Sequence, residues 1–132
     1  MPHPLAATAL WGGILALIYV PLGMRIVPLR RQHKVSLLDG GHPDLKTAMR
    51  VHGNFAENVP LALVLMALLE LNGLPGWALH GLGVTLTAGR LLHWRGLTPT
   101  GATPSRVVAM VLTWMVFLAA GVIAVMQGIG LL

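Results

Sequence analysis

The stretch RVHGNFAENVP, residues 50–60, runs directly into the apolar LALVLMALLEL of residues 61–71. An arginine, a histidine, two asparagines and a glutamate therefore open a segment apolar enough to enter a bilayer. Charged and amide side chains at membrane depth are costly and usually mark a site or a pathway. A helix advances about 100° per residue, so Arg50, Asn54 and Glu57 fall within about 60° of one another, on a stripe roughly 10 Å long. Lys46 and Leu61 extend the stripe, and His52 points away from it.

The surrounding chain has the composition of a membrane protein. Its 132 residues leave room for one domain, spanning 1–132. With 55% hydrophobic and 10% charged residues, it carries more apolar surface than a soluble domain of this size can bury. It has no cysteine, which excludes disulfides, thiolate metal sites and a cysteine nucleophile. Four apolar segments approach the roughly 20 residues needed to cross the hydrocarbon core. They cover about 5–27, 46–72, 75–94 and 104–127, so the expected fold is all-α, an integral membrane four-helix bundle. Pro75 and Pro104 suit the first turn of a helix, where the missing N–H costs nothing. NGLPG at 72–76 and GLTPTGATP at 96–104 supply the breaks between spans. The long polar connection RRQHKVSLLDGGHPD, 30–44, is expected outside the lipid. The N-terminal segment has no basic region of the kind that opens a signal peptide, so it is expected to remain as the first span.

Charge sets the orientation. Arg25, Arg30, Arg31, Lys34, Lys46 and Arg50 border the first connection, and Arg90, Arg95 and Arg106 border the third. All 9 Lys and Arg side chains thus fall on one side. The positive-inside rule then puts the first and third loops in the cytoplasm and both termini outside, as expected of a bacterial inner-membrane protein. The same asymmetry explains the net charge of +5 without nucleic acid as a partner. Trp11 and Trp77 are expected near the outer interface, Trp94 near the inner one, and Trp114 in packing. Gly81, Gly83, Ala88 and Gly89 would let neighbouring helices approach closely. The six histidines show no spacing typical of metal ligands, so no metal is expected.

Two readings of the polar stripe remain open at this point. In one, Arg50 snorkels to the interface and Glu57 pairs with an arginine of a neighbouring helix, a purely structural network. In the other, the stripe binds an anion. Arg30 and Arg31 close the first span, Arg90 and His93 lie one turn apart on the third, and Arg106 opens the fourth. These cations converge on the same membrane level as one carboxylate, and forked guanidinium groups suit carboxylates and phosphates. Pro60 removes one backbone hydrogen bond and frees the Ala56 carbonyl, which bends the helix or offers an acceptor.

The motif Arg50-x3-Asn54-x2-Glu57, followed by Pro60 and its apolar run, resembles the membrane-associated proteins in eicosanoid and glutathione metabolism, the MAPEG superfamily. The chain is similar above all to small bacterial members. Val27 to Val35 (VPLRRQHKV), the Asp39-Gly-Gly turn, Ala88 to His93 (AGRLLH) and Pro104-Ser-Arg106 fit in the same order. The resemblance implies a homotrimer of four-helix protomers binding glutathione between adjacent copies near the cytoplasmic face. By position, Arg30, Arg31, Arg50, Asn54, Glu57 and Arg90 would bind the tripeptide. Arg106 would stabilise its thiolate, with His93 as a second catalytic donor. The chain departs from the family where several members carry a tyrosine and it carries Leu97. It departs again at Val107, where some isomerases have serine, which argues against prostaglandin-isomerase chemistry.

The implied activity is a glutathione transferase, with peroxidase activity as a companion expectation, acting on a lipophilic second substrate that arrives through membrane lipids. Two rivals stand beside it. A small multidrug transporter would need a carboxylate deep in the first span, which has none. A non-catalytic scaffold would hold anionic lipid without affinity for glutathione.

Overall fold

The computed structural model describes residues 4–98 and 100–132. In chain order its elements are α1 (Ala6–Met24), α2 (Ile26–His33), α3 (Pro43–Leu71), α4 (Gly76–Gly96), β1 (Leu97–Thr98), β2 (Gly101–Ala102) and α5 (Pro104–Gly128). The long helices α3, α4 and α5 match the expected spans to within a turn at either end. The first span does not run unbroken. Pro28 has no N–H for the Met24 carbonyl and its ring crowds that turn, so the chain bends at Arg25 and resumes as α2. Arg30 and Arg31, expected in the polar connection, are therefore helical. Lys34, in the left-handed conformation at φ 55°, closes α2 by returning its N–H to the carbonyls of Arg30 and Arg31.

α3 buries one continuous face, from Leu45 through Ala48, Val51, Phe55, Val59, Ala62 and Met66 to Leu69. That three- and four-residue spacing is the signature of a helix docked along one side. Phe55 and Val59 meet Leu15 and Leu22 of α1, Leu86 of α4 and Val116 of α5 in one cluster. Met66 and Leu69 meet Ala7, Leu79 and Ala120 in a second cluster nearer the chain termini. α1 meets α4 where Trp11 lies on Gly83. A Cβ at Gly83 would lie 2.2 Å from the Trp11 ring, so only glycine admits the indole there.

The outside of the bundle is apolar. Leu17, Val20, Leu61, Val64, Leu118 and Val125 are all exposed, a surface suited to lipid. Trp114 belongs with them: it is exposed rather than packed, which corrects the sequence expectation. Three helical stretches are long and apolar enough to cross a membrane, Ala6–His33, Pro43–Leu71 and Pro104–Gly128. The remaining expected span, the third, is α4, which falls short on apolarity because of its Gly, Thr, His and Arg residues. Those it buries, including Gly83, Gly89, Arg90, His93 and Gly96, are turned into the bundle. Arg90 and His93 of α4 thus face protein, whereas His80 and Arg95, towards its two ends, are exposed.

The third connection holds an unforeseen hairpin. β1 and β2 pair antiparallel, Leu97 opposite Ala102 and Thr98 opposite Gly101. It fixes how α5 leaves α4, which matters for the site below.

Candidate functional site

Arg90 is the largest fully buried side chain, at 2% exposure. Its Nη1 donates to Asn54 Oδ1 at 2.7 Å and to the Asn54 carbonyl at 3.4 Å. Its Nη2 donates to Thr113 Oγ1, whose own proton goes to the Ala109 carbonyl at 2.9 Å. Asn58, one turn beyond Asn54, adds a 2.7 Å bond from its amide to the same Asn54 carbonyl. The Nε of Arg90 has no hydrogen-bond partner. A guanidinium has thus been taken out of water onto neutral oxygens alone, an arrangement whose desolvation is ordinarily offset by a carboxylate.

His93 lies one turn further along α4, also buried, and Arg90, Arg106 and Arg50 all act on it electrostatically. Arg50 pairs with Glu57 two turns along its own helix, Nη1 to Oε1 at 3.5 Å. Those side chains are 59% and 56% exposed, so the pair is loose and contributes little to stability. It leaves both groups free to exchange partners.

Above this layer a cleft of about 480 Å3 opens between the start of α3, the hairpin and the start of α5. Lys46, Arg50 and Arg106 line it together with Asp39, Thr47 and Thr98. Arg106 reaches it because α5 begins pressed against the end of α4. The Thr103 hydroxyl donates to the Gly96 carbonyl at 2.7 Å, and a Cβ at Gly96 would stand 2.6 Å from the Arg106 nitrogen. Gly96 and the hairpin therefore set the position of Arg106.

Of the residues singled out from sequence, Arg50, Arg106, Arg90, His93, Asn54 and Glu57 gather at this one end. Arg30 and Arg31 do not line this cleft. Arg30 is turned to the Leu38 carbonyl at 2.9 Å and the Met49 sulfur at 3.6 Å, bracing the first connection. Arg31 sits exposed on α2 beside Lys34. Asn54 holds Arg90 and Glu57 holds Arg50, so two of the expected ligand contacts serve the protein itself.

Sequence reasoning missed Thr113, although it is the lone polar side chain in AMVLTWMVF, 109–117, and that isolation was the available signal. Gly96 gave no signal, since its role depends on how the hairpin folds. The histidines also hold a pairing that spacing hid. His33 Nε2 lies 2.8 Å from Asp44 Oδ2, and the His33 ring stacks on His42 with centroids 3.9 Å apart. His80 accepts a hydrogen bond from Trp11 Nε1 at 3.1 Å.

An apolar-skinned helical bundle with a basic, recessed polar end defines the class: a membrane protein with a site at one face. Residues 8–126 match the MAPEG family, and the chain belongs to it. It is 42% identical to the inner membrane protein YecN of Escherichia coli strain K12 over 89 residues, 67% of this chain and 68% of that protein. YecN of Escherichia coli O6:H1 gives the same values. No solved structure shows a significant match.

Proposed function

We propose that the protein is a membrane-bound glutathione transferase that joins glutathione to lipophilic electrophiles, with the thiolate held by Arg106. The observation that carries this reading is the imbalance of charge at the basic end. Arg50, Arg106 and Lys46 share one cleft with a single carboxylate, Asp39, while Arg90 beneath them has only neutral partners. Glutathione brings two carboxylates and an ionisable thiol, which suits that excess, and its amine suits Glu57. MAPEG membership adds to the reading, because the family includes glutathione transferases.

The chemistry asks little of the protein. A free thiol has a pKa of about 8.5, and only its thiolate is a good nucleophile. A guanidinium in a poorly hydrated cleft stabilises the anion and so lowers that pKa. The sulfur then forms a bond to the electrophilic carbon, and the leaving group departs with its electron pair. His93, buried among three arginines, is the second donor at the sulfur. Peroxidase activity would use the same thiolate against a lipid hydroperoxide, two glutathiones giving the disulfide, an alcohol and water.

Arg30 and Arg31 lie off the cleft in one protomer, and in a homotrimer they would reach the site of the adjacent copy. The exposed Arg50–Glu57 face, unsuited to lipid, also calls for a protein neighbour. The Escherichia coli relative's designation as an inner membrane protein supports the same location here, with both termini outside and the basic loops in the cytoplasm.

The test is glutathione binding by purified protein in mild detergent, followed by turnover with a generic aromatic electrophile. Saturable binding and conjugate formation are expected; absence of both overturns the reading. Cross-linking should give trimers, and only monomers or dimers would remove the shared site.

A further inference from the structure

Beyond Thr47 from the polar cleft lies a second, larger cavity of about 580 Å3, between α2, α3 and the C-terminal end of α4. Its lining is different in kind. Buried Ala48 and Val51, with half-buried Leu29 and Trp94, make an apolar floor, and exposed Arg25 and Arg95 stand at its edge. We propose that this cavity holds an anionic phospholipid, its phosphodiester between Arg25 and Arg95 and its glycerol and upper acyl carbons on the floor. The proposal is independent of the glutathione reading, because neither arginine belongs to that contact set.

Charge is the first argument. The chain has four Asp and Glu side chains, and three of them lie away from this cavity. Glu70 accepts from the Ala7 and Thr8 backbone N–H groups, Glu57 from Arg50, and Asp39 from the Gly41 N–H. Asp44, the one acid on this cavity, has Oδ2 on His33 and Oδ1 on the Leu45 N–H, both at 2.8 Å. Among the described residues no carboxylate forms an ion pair with Arg25 or Arg95. Two arginines against one carboxylate leave the lining with an excess of positive charge, which favours a headgroup of net negative charge over a zwitterion.

Shape and level supply the second. A soluble anion would use the two arginines and leave the apolar floor wet. A lipid uses both, and the cavity lies within the usual size of a ligand pocket, about 300 to 1,000 Å3. Exposed Met24 and Val27, flanking the cavity residues Arg25 and Pro28 in the chain, continue the apolar surface outward as a track for acyl chains. The position is where α1 gives way to α2 and α4 ends, at the basic end of the bundle, so phosphate groups of the adjoining leaflet lie at hand.

The experiment is native mass spectrometry of the delipidated full chain in detergent, titrated with dioleoyl phosphatidylglycerol or dioleoyl phosphatidylcholine. Phosphatidylglycerol should be retained about ten-fold more tightly, the usual scale for bonds to a charged group. The double variant Arg25→Gln/Arg95→Gln should lose that preference, and Arg31→Gln/Lys34→Gln, with the same change in charge, should keep it. Leu29→Trp fills the floor without altering charge, and it too should release the lipid, which serves as the readout if the double variant does not fold. Glycerol phosphate at equal concentration should not compete. Equal retention of the two lipids, or equal loss in the Arg31/Lys34 control, would overturn the proposal in favour of diffuse surface attraction. Effective competition by glycerol phosphate would overturn it in favour of a soluble phosphate ester.

Discussion

The two ends of the bundle solve the same packing problem differently. At the end where α1 begins, Glu70 takes the Ala7 and Thr8 N–H groups at 2.9 and 2.8 Å, so a carboxylate caps the positive end of α1. Trp11 lies on Gly83 and donates to His80, tying α1 to α4. That end is closed by its own side chains. At the basic end, Arg90 rests on neutral oxygens, Arg50 on a loose ion pair, and Lys46 and Arg106 on an open cleft. The difference teaches where to look for function: the first end sets its carboxylate on its own backbone N–H groups, and the second holds an excess of cations that a negative ligand would suit.

Substitutions can break that contrast, beginning with the largest expected effect. Gly83→Leu forces a side chain into the Trp11 ring and should destabilise the bundle by more than about 2 kcal/mol, the scale of severe overpacking. Unfolding in graded denaturing detergent would measure it, and wild-type stability would mean that the α1–α4 contact is not tight. Arg90→Met should do the reverse. Replacing a buried cation by an apolar side chain of similar length leaves stability within about 1 kcal/mol of wild type, or raises it. Glutathione affinity should nevertheless fall by at least about 2 kcal/mol, as when a buried charged partner is removed. Calorimetric titration and the unfolding assay together check it. A variant that unfolds but, where folded, still binds would make Arg90 structural. The smallest change is Glu70→Gln, expected to cost about 0.5 kcal/mol through the α1 terminus and to leave glutathione binding unchanged.

The same contrast explains what could be seen in the sequence. The spans, their breaks and the one-sided cations were legible because periodicity, Pro, Gly and charge act locally along the chain. Arg50, Asn54 and Glu57 were legible as a stripe, Arg90, His93 and Arg106 as cations converging at the span ends, and the family resemblance suggested roles for them. What each side chain does was not legible. That Asn54 is spent on Arg90, and that Thr113 shares the load, depends on how three helices meet. The bend at Arg25 was missed because Pro28 sits among apolar residues that read as one span. Arg25 and Arg95, counted only as topology signals, stand on one cavity because α2 packs beside α3 near the end of α4.

The central claim is that the unfinished charge at the basic end receives glutathione and ionises it at Arg106. Thiolate ultraviolet absorbance of bound glutathione, followed against pH in the wild type and in Arg106→Leu, tests it most directly. The wild type should show a thiol pKa at least about one unit below the free value near 8.5, a stabilisation of roughly 1.4 kcal/mol. In Arg106→Leu the pKa should return towards the free value and turnover at neutral pH should fall with it. Affinity should change less, because the carboxylates of the tripeptide keep their other cations. Bound glutathione with the same lowered pKa and the same turnover in Arg106→Leu would contradict the account and move the role to His93.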